Sequence, residues 1–221
     1  MKTNLIYATS NPGKVIEIGR HFGYHGLEVS KLSDFIDVRL DPEEDGATLG
    51  DNARIKAFAY ADVISKTPSL RGKRFIVVAD DTGVFIDGLG GEPGIRVRRW
   101  NGRKMTDDEI IVYAIERMRG LSGDARKAVF RTVLCIVSVD EHGLIGDTVM
   151  CEGELNGHIL ETANPQRIEG FPFESLFFAD EYGMLLGDLH RLPDAEKRKG
   201  KFNHRERAIE KAIPIIEDMM G

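Results

Sequence analysis

The chain has 221 residues, of which 42% are hydrophobic and 30% are charged, and its formal net charge is −6. This composition is typical of a soluble globular protein, and the length suits a single domain. A net-acidic chain lacks the broad cationic surface that a DNA- or RNA-coating protein needs, which excludes a nucleic acid polymer as its partner. A small polyphosphate remains a possible ligand, because it needs only a local cluster of Lys, Arg and backbone N–H groups.

Neither the cysteines nor the N-terminus indicates an extracellular or membrane protein. Cys135 and Cys151 lie in strand-like stretches without CxxC spacing, and we expect two reduced, buried thiols. The N-terminus turns polar after a few residues, and no apolar run reaches the ~18 residues of a membrane span. We therefore expect a cytosolic protein with no membrane partner.

Strand-like runs and helix-like patterns alternate over the first third of the chain. The predicted elements are, in order, a strand at residues 4–8, a helix that starts near Pro12, a strand at residues 27–32, and a helix from Thr48 to about residue 65. An interleaved order of this kind favours an α/β fold.

The middle of the chain contains its most continuous apolar run. Phe75–Ala79 is typical of a central strand, and the pattern predicts that this strand stops at Asp80. A glycine-rich turn follows at residues 88–94. Thr106 with Glu109 three places on is a capping-box signature for the start of a helix.

The remainder of the chain predicts a hairpin and a last helix. Long strands at residues 129–139 and 147–159 are joined by turn residues 140–143. Asn203 is the predicted cap of the last helix, which Pro214 should bend or split. Together the elements predict an α/β fold with a mixed sheet and one two-lobed domain over residues 1–221.

The pair Asp80 and Asp81 is the most informative candidate for chemistry. Ligands collect where strands of an α/β sheet end, and two adjacent carboxylates suit Mg²⁺, or one metal ligand and one general base. An acidic turn is the alternative interpretation, since Asp-Asp-Thr-Gly is also good turn chemistry.

Three further segments are candidates for binding an anion. In the loop at residues 9–14, Gly13, Lys14 and the helix N-terminus could cradle a phosphate, although a helix cap explains the same residues and Walker A spacing is missing. Asn52 and Lys56 share one helix face, either as ligands or as a solvated pair. A basic run at residues 197–205 beside a helix start is either an anion site or a solvated patch.

Taken in order, these motifs resemble the inosine triphosphatase family, which removes non-standard purine nucleotides. The segments that carry the resemblance are Thr9, Asn11 and Lys14; Glu44, Gly46 and Thr48; DNARIK at residues 51–56; ADDTG at residues 79–83; LGGEPG at residues 89–94; Cys151, Gly153, Gly157 and Ile159; and Lys199 with NHR at residues 203–205. The resemblance covers nearly the whole chain.

The resemblance implies a fold, a reaction and a set of roles. The fold is a long mixed sheet flanked by helices, with the nucleotide in a central cleft between two lobes, and the assembly is a homodimer. The reaction is Mg²⁺-dependent hydrolysis of a nucleoside triphosphate to the monophosphate and pyrophosphate. The implied roles are phosphate binding by Thr9, Asn11, Lys14, Asn52, Lys56 and Lys199, metal binding by Glu44, Asp80 and Asp81, and catalysis by Lys14 and by Asp81 as the base.

The departures from the family pattern cluster at the base-binding end. The loop reads Gly170-Phe171-Pro172-Phe173-Glu174-Ser175 where the family has Gly-Phe-Gly-Tyr/Trp-Asp-Pro. The two phenylalanines can still stack on a purine, whereas the proline removes an N–H group and the glutamate is one methylene longer than aspartate. At residues 96–99 the chain has Arg-Val-Arg-Arg where the family has Tyr-Ser-Ala-Arg. These arginines form either an extra anion site or a solvated strand edge.

The last family motif implies how the base is read. His204 and Arg205 would bind the 6-oxo edge, and an arginine that donates to this oxygen rejects adenine, whose amino group is itself a donor. The resemblance thus implies ITP, XTP and their deoxy forms as substrates. Two alternatives stay open: a nucleotide-binding protein with weakened turnover, and a phosphohydrolase of altered base or phosphosugar specificity.

Overall fold

The computed structural model describes residues 2–9 and 11–221, which form a mixed sheet flanked by helices. The strands are β1 (Thr3–Tyr7), β2 (Val29–Ser30), β3 (Arg74–Ile86), β4 (Pro93–Gly94), β5 (Lys127–Val139), β6 (Ile145–Ile159), β7 (Phe177–Ala179) and β8 (Met184–Leu185). The helices are α1 (Pro12–Gly23), α2 (Leu49–Lys66), α3 (Asp107–Arg117), α4 (Leu186–His190), α5 (Asp194–Lys197) and α6 (His204–Met220). None of these helices is both long and apolar enough to cross a bilayer.

The sheet order is β2-β1-β3-β5-β6-β7-β8, with β4 paired to β3. Strand β1 is parallel to both β2 and β3, whereas β4, β7 and β8 pair antiparallel with their neighbours. The predicted α/β fold with a mixed sheet is confirmed.

The chain divides into two compact units. The first holds the described residues up to Asp81, with Thr132–Gly153 and Glu206–Gly221; the second holds Thr82–Arg131 and Glu154–Arg205. Strands β3, β5 and β6 therefore each contribute residues to both units.

The sheet of the first unit is covered on both faces. Phe75 and Val77 of β3 pack in one cluster with Ala53 and Ala57 of α2. Ile76 and Val78 alternate with them and pack in a second cluster with residues of α1 and α6 such as Phe22 and Ile209. Because successive strand residues face opposite sides, a strand covered on both faces reads as a continuous apolar run. Cys135 and Cys151 are buried, free thiols in these clusters, as expected.

The second unit has its own core. Ile110 and Ala114 of α3 pack there with the aromatic residues Phe130, Phe173 and Phe177. Thr106 begins α3 with the predicted capping box, since its hydroxyl accepts from the Glu109 N–H and its own N–H donates to the Glu109 carboxylate. A second capping box joins Thr48 and Asp51 at the start of α2.

The prediction that the central strand stops at Asp80 was wrong, because β3 continues to Ile86. Its pairing with β1 ends at Tyr7 opposite Val78, but β3 gains a new partner where Val84 lies opposite Gly94 of β4. Backbone groups in this extension are thus satisfied by a second neighbour. Asp80 still lies just beyond the last β1-paired residue, so a strand end does lie beside it.

Two other boundaries differ from the sequence prediction. The strand predicted at residues 27–32 shortens to Val29–Ser30, because the Lys31 N–H is capped by the Asp34 carboxylate at the start of a short 3₁₀ helix. Of the two outcomes predicted for Pro214, a bend or a split, the split does not occur. Proline removes a single backbone donor, and the buried side chains on one face of α6, such as Ile209 and Ile213, hold the helix on the sheet. The hairpin is as predicted: Asp140 accepts from the N–H groups of His142 and Leu144.

Candidate active site

Asp80 is bound by Tyr7 and Lys14 in the first unit. The Tyr7 hydroxyl donates to its Oδ1 at 2.5 Å, and Lys14 Nζ donates to both oxygens, at 2.9 and 2.8 Å. The carboxylate is buried. Since its oxygens are already engaged, Asp80 positions the ammonium group of Lys14 at the N-terminus of α1.

Asp81 is held by α2. Asn52 Nδ2 donates to Asp81 Oδ2 at 3.0 Å, and Lys56 Nζ lies 3.5 Å from Oδ1. The four-residue spacing places Asn52 and Lys56 on one helix face, as predicted. They are only 4% and 9% exposed, so their interpretation as a solvated pair was wrong.

The acidic loop before α2 folds onto the same face. Glu44 Oε2 accepts from Lys56 Nζ at 3.0 Å, and the Gly46 N–H donates to Asn52 Oδ1 at 2.9 Å. Asn52 thus connects this loop to Asp81 through both ends of its amide. A Cβ at position 46 would lie 2.6 Å from the Asp51 Cβ and 2.7 Å from Asn52 Oδ1, so the backbone approaches the helix more closely than a side chain allows.

The electrostatics of this cluster favour Asp81 as a proton acceptor and Lys56 as a charged ammonium group. Burial raises the pKa of Asp81 above its ordinary value, against the opposing charges of Lys56 and Lys14. Burial by itself would lower the pKa of Lys56, but the combined attraction of the neighbouring carboxylates outweighs it and raises that pKa. Lys56 therefore stays charged, while Asp81 can accept a proton more readily than an exposed aspartate.

The first loop is organised as a helix cap. Asn11 Oδ1 accepts from the Gly13 N–H at 2.9 Å, and Thr9 Oγ1 accepts from the Asn11 N–H at 3.1 Å. The cap interpretation is therefore correct for Asn11, and phosphate binding by Thr9 and Asn11 stays a prediction. Ser10 lies outside the described residues.

Two of the predicted base-binding residues lie against aromatic rings in the second unit. The guanidinium carbon of Arg205 lies 5.7 Å from the ring centroid of Phe171, which is half-buried, and Arg205 Nη2 donates to Thr82 Oγ1 at 3.3 Å. His204 is buried and stacks on Phe130 at 4.7 Å between ring centroids. The cation–π contact gives the Arg205 side chain a defined direction.

Two further residues of the predicted base-binding set, Phe173 and Glu174, are buried. Phe173 is 2% exposed and packs between Phe130 and Trp100, with ring centroids 6.2 Å from each. Glu174 is buried, and its Oε1 lies 2.8 Å from His190 Nδ1. Phe173 thus contributes to the core and Glu174 to a hydrogen bond with His190, whereas the half-buried ring of Phe171 contacts Arg205.

Arg98 fixes the start of the altered loop. Its guanidinium binds the Asp107 carboxylate and donates to the Gly170 carbonyl at 2.8 Å, while the Gly170 N–H donates to Asp107 Oδ2 at 2.7 Å. For Arg98 the interpretation as a solvated strand edge was wrong, since it lies in a 3₁₀ turn with these partners. A cavity of about 670 Å³ adjoins this contact and is lined by Arg98, Arg167, Gly170 and Pro172 among others.

Two lysines of the basic run share one carboxylate. Lys199 Nζ and Lys201 Nζ both donate to the Glu196 carboxylate, at 2.6 and 2.9 Å, and lower its pKa to about 2. Lys199 is exposed, so phosphate binding by this residue stays a prediction, whereas Lys197 is fully buried.

Sequence reasoning missed several buried polar residues, and two of them show why. One is Lys197, which nothing distinguishes from its basic neighbours in the sequence. The other is Tyr7, for which a signal existed, because a tyrosine in a buried strand needs a partner for its hydroxyl.

Comparisons with known proteins show the family and the fold. The model of the Ham1 family matches residues 5–215. A dITP/XTP pyrophosphatase of Thermus thermophilus is 36% identical over 97% of this chain and 92% of its own length. A dITP/XTP pyrophosphatase of Caldanaerobacter subterraneus subsp. tengcongensis is 33% identical over 96% of this chain and 95% of its own. The solved structure of the Staphylococcus aureus Ham1 protein has the same fold, with a TM-score of 0.72 and 24% identity over 98% of this chain and 99% of its own.

Proposed function

Because this chain belongs to the Ham1 family, we propose that it hydrolyses non-standard nucleoside triphosphates to the monophosphate and pyrophosphate, as a nucleotide-pool clean-up enzyme. The observation that carries the proposal is the buried cluster of Asp81, Asn52 and Lys56, with the exposed Glu44 paired to Lys56 and with Lys14 held beside the cluster by Asp80. The relatives are named as dITP/XTP pyrophosphatases, which supports the same reaction.

Asp81 is the residue suited to activate water. A buried carboxylate with a raised pKa can take a proton from an attacking water molecule. The water oxygen then bonds to the α-phosphorus, the bond from that phosphorus to the α–β bridging oxygen breaks, and pyrophosphate leaves with the bond electrons. The Asn52 amide keeps one Asp81 oxygen occupied, so the other can face the water.

Lys14 and Lys56 supply the positive charge that a triphosphate requires. Each is paired with a carboxylate in this structure. Binding a polyphosphate would exchange these partners for phosphate oxygens, which carry more charge and form charge-assisted hydrogen bonds. The lysines are therefore already charged and positioned when the substrate arrives.

We propose Mg²⁺ as the cofactor, held by Glu44 and Asp81. Both carboxylates contact one ammonium group, since Glu44 Oε2 and Asp81 Oδ1 lie 3.0 and 3.5 Å from Lys56 Nζ, so an ion bound by both would lie beside this lysine or displace it. Carboxylate oxygens converging in this way suit a hard divalent ion, which would neutralise phosphate charge. Asp80 fits the metal less well than the resemblance implied, because Tyr7 and Lys14 already occupy its oxygens.

The base preference rests on Arg205. Its contact with Phe171 places a guanidinium donor beside a half-buried aromatic ring, which suits a purine that stacks and presents an oxygen at position 6. Adenine would face this donor with its amino group, at a cost of ~1–3 kcal/mol, or roughly 5- to 150-fold in selectivity. A homodimer in the cytosol follows from the resemblance and stays a prediction.

A substrate panel with product analysis tests the proposal. With Mg²⁺ present, ITP and XTP should be cleaved at least about fivefold more efficiently than ATP, and phosphorus NMR should show pyrophosphate as the product. Orthophosphate as the first product would indicate the alternative phosphohydrolase. Nucleotide binding without turnover would indicate a binding protein, and equal rates for ATP and ITP would contradict the assigned role of Arg205.

A further inference from the structure

A second cluster of ligand-type side chains lies elsewhere in the first unit. His21 on α1 and His25, two residues past its end, both direct Nε2 at Glu210 Oε1 on α6, each at 2.7 Å. These three ligand atoms all lie within 4.8 Å of one another. None of the three residues belongs to the cluster around Asp81.

The spacing of the two histidines explains why they converge. They are four residues apart, and the backbone keeps turning past the helix end, since the His25 N–H donates to the Phe22 carbonyl at 3.0 Å. Two histidines at this spacing on one face form a chelating pair. Glu210 then approaches both rings from the opposite helix.

The surroundings favour a cation at this point. The C-terminal end of a helix carries partial negative charge, and both histidines lie at that end of α1. Glu206, one turn before Glu210, places Oε1 4.0 Å from His21 Nδ1 and offers the outer carboxylate that often orients a ligating imidazole.

The site is also accessible from one side. The side chain of His21 is only 1% exposed, whereas those of His25 and Glu210 are 30% and 32% exposed. His21 is therefore fixed in the core, whereas His25 and Glu210 face solvent, where a water molecule can complete the coordination.

We propose that His21, His25 and Glu210 form a binding site for a transition-metal dication of the Zn²⁺ type. Two imidazole nitrogens and one carboxylate oxygen suit Zn²⁺ in a tetrahedral arrangement with one open position. With ligand distances of ~2.0–2.2 Å, tetrahedral geometry separates the donor atoms by roughly 3.3–3.5 Å. Each histidine Nε2 now lies 2.7 Å from Glu210 Oε1. These atoms would therefore move apart by less than about 1 Å to admit the ion. Mg²⁺ prefers oxygen ligands, so the site is distinct in metal preference from the one proposed at Glu44 and Asp81.

The test is titration of the chelator-treated full chain with Zn²⁺ by calorimetry and with Co²⁺ by visible absorption. We expect one Zn²⁺ bound at this site per chain and the intense visible bands of tetrahedral Co²⁺. His25→Ala and Glu210→Gln should each weaken Zn²⁺ binding by at least about tenfold, because each removes a direct ligand. These two partly exposed positions are used because His21→Ala would open a cavity in the core.

Two control variants locate the binding. His142→Ala removes an exposed histidine of the hairpin and should leave the Zn²⁺ affinity within about twofold. Asp81→Asn should leave the Co²⁺ spectrum unchanged, because the ion is not at the catalytic cluster. The proposal is overturned if no stoichiometric binding occurs, or if binding survives both His25→Ala and Glu210→Gln with less than a threefold loss.

Discussion

Asp80 and Asp81 are adjacent in sequence but differ in what their oxygens contact. Tyr7 and Lys14 occupy Asp80, whereas Asp81 is held at one oxygen by Asn52 and lies near Lys56 at the other. Neighbouring strand residues point to opposite sides, so two carboxylates in one motif acquire different environments. In the proposed mechanism, Asp80 would therefore be a positioning residue for Lys14, and Asp81 would be the base.

Asp81→Asn should reduce kcat by roughly 10²–10⁴-fold, because the amide cannot accept a proton from water. Nucleotide affinity measured without Mg²⁺ should remain close to that of the wild type, since Lys14 and Lys56 are retained. Steady-state kinetics and calorimetric titration with nucleotide would measure the two quantities. Full activity in this variant would exclude Asp81 as the base.

The pH profile of the unmodified enzyme gives a second measure of the same residue. The base works when ionised, so kcat/KM should fall as the pH drops through the pKa of Asp81. This acid limb of the pH profile should lie above the ordinary range of an aspartate, because burial raises the pKa of Asp81. The nearby ammonium of Lys56 lowers this pKa, and Lys56→Met should therefore move the acid limb to higher pH. A limb that stays in place in Lys56→Met would contradict the electrostatic coupling.

At the level of residues, the sequence predicted chemical type better than environment. It indicated Asp81, Asn52, Lys56 and Lys14, which do come together within one unit. It could not show that Phe173 is part of a core, because burial depends on contacts with Trp100 and Phe130 that are distant along the chain.

At the level of elements, the N-terminus of α2 connects the acidic loop to the site. Gly46 contacts the first turn of the helix so closely that its N–H reaches Asn52 Oδ1 at 2.9 Å. Any Cβ there must displace either the helix or the loop. Because Asn52 also holds Asp81, a shift at the loop is transmitted to the proposed base.

Gly46→Ala should lower both stability and activity. Overpacking of this contact should cost about 1–3 kcal/mol of unfolding free energy, and kcat should fall with it because Asn52 moves. Gly50→Ala is the matched control, since its Cβ would approach nothing closer than 3.7 Å; it should be neutral or stabilising by up to ~1 kcal/mol, because alanine favours the helix. Urea denaturation and steady-state kinetics measure both effects, and equal behaviour of the two variants would contradict the argument.

The elements themselves were predictable where local chemistry decides. The helix start at Thr48, the capping box at Thr106 and the turn at Asp140 formed as the sequence indicated. The extension of β3 was not predictable, because it depends on pairing with β4, and the continuity of α6 through Pro214 depends on apolar contacts with the sheet.

At the level of the whole molecule, the two units have separate cores but share three strands. Strands β3, β5 and β6 contribute residues to both units, so neither unit is a continuous segment of chain that could fold by itself. We therefore expect unfolding to be cooperative, with different probes reporting one transition. The single tryptophan, Trp100, belongs to the second unit and supplies one of these probes.

Pyrophosphate with Mg²⁺ should raise the melting temperature of the whole chain, although its proposed ligands, Lys14 and Lys56, belong to the first unit. At about 100 times its Kd, a ligand that binds only the folded state adds ~2.7 kcal/mol, which for a chain of this length is a shift of roughly 5–11 °C. Calorimetry and Trp100 fluorescence should report the same shift.

Two controls connect this stabilisation to the proposed site. Inosine, which has no phosphate groups, should give a much smaller shift, because it lacks the charge that the lysines bind. Lys14→Met combined with Lys56→Met should abolish most of the pyrophosphate effect. If this double variant shifted as far as the wild type, pyrophosphate would bind elsewhere, and the basic run at residues 197–205 would be the next surface to vary. A shift seen by calorimetry but absent from Trp100 fluorescence would show that the shared strands do not couple the two units.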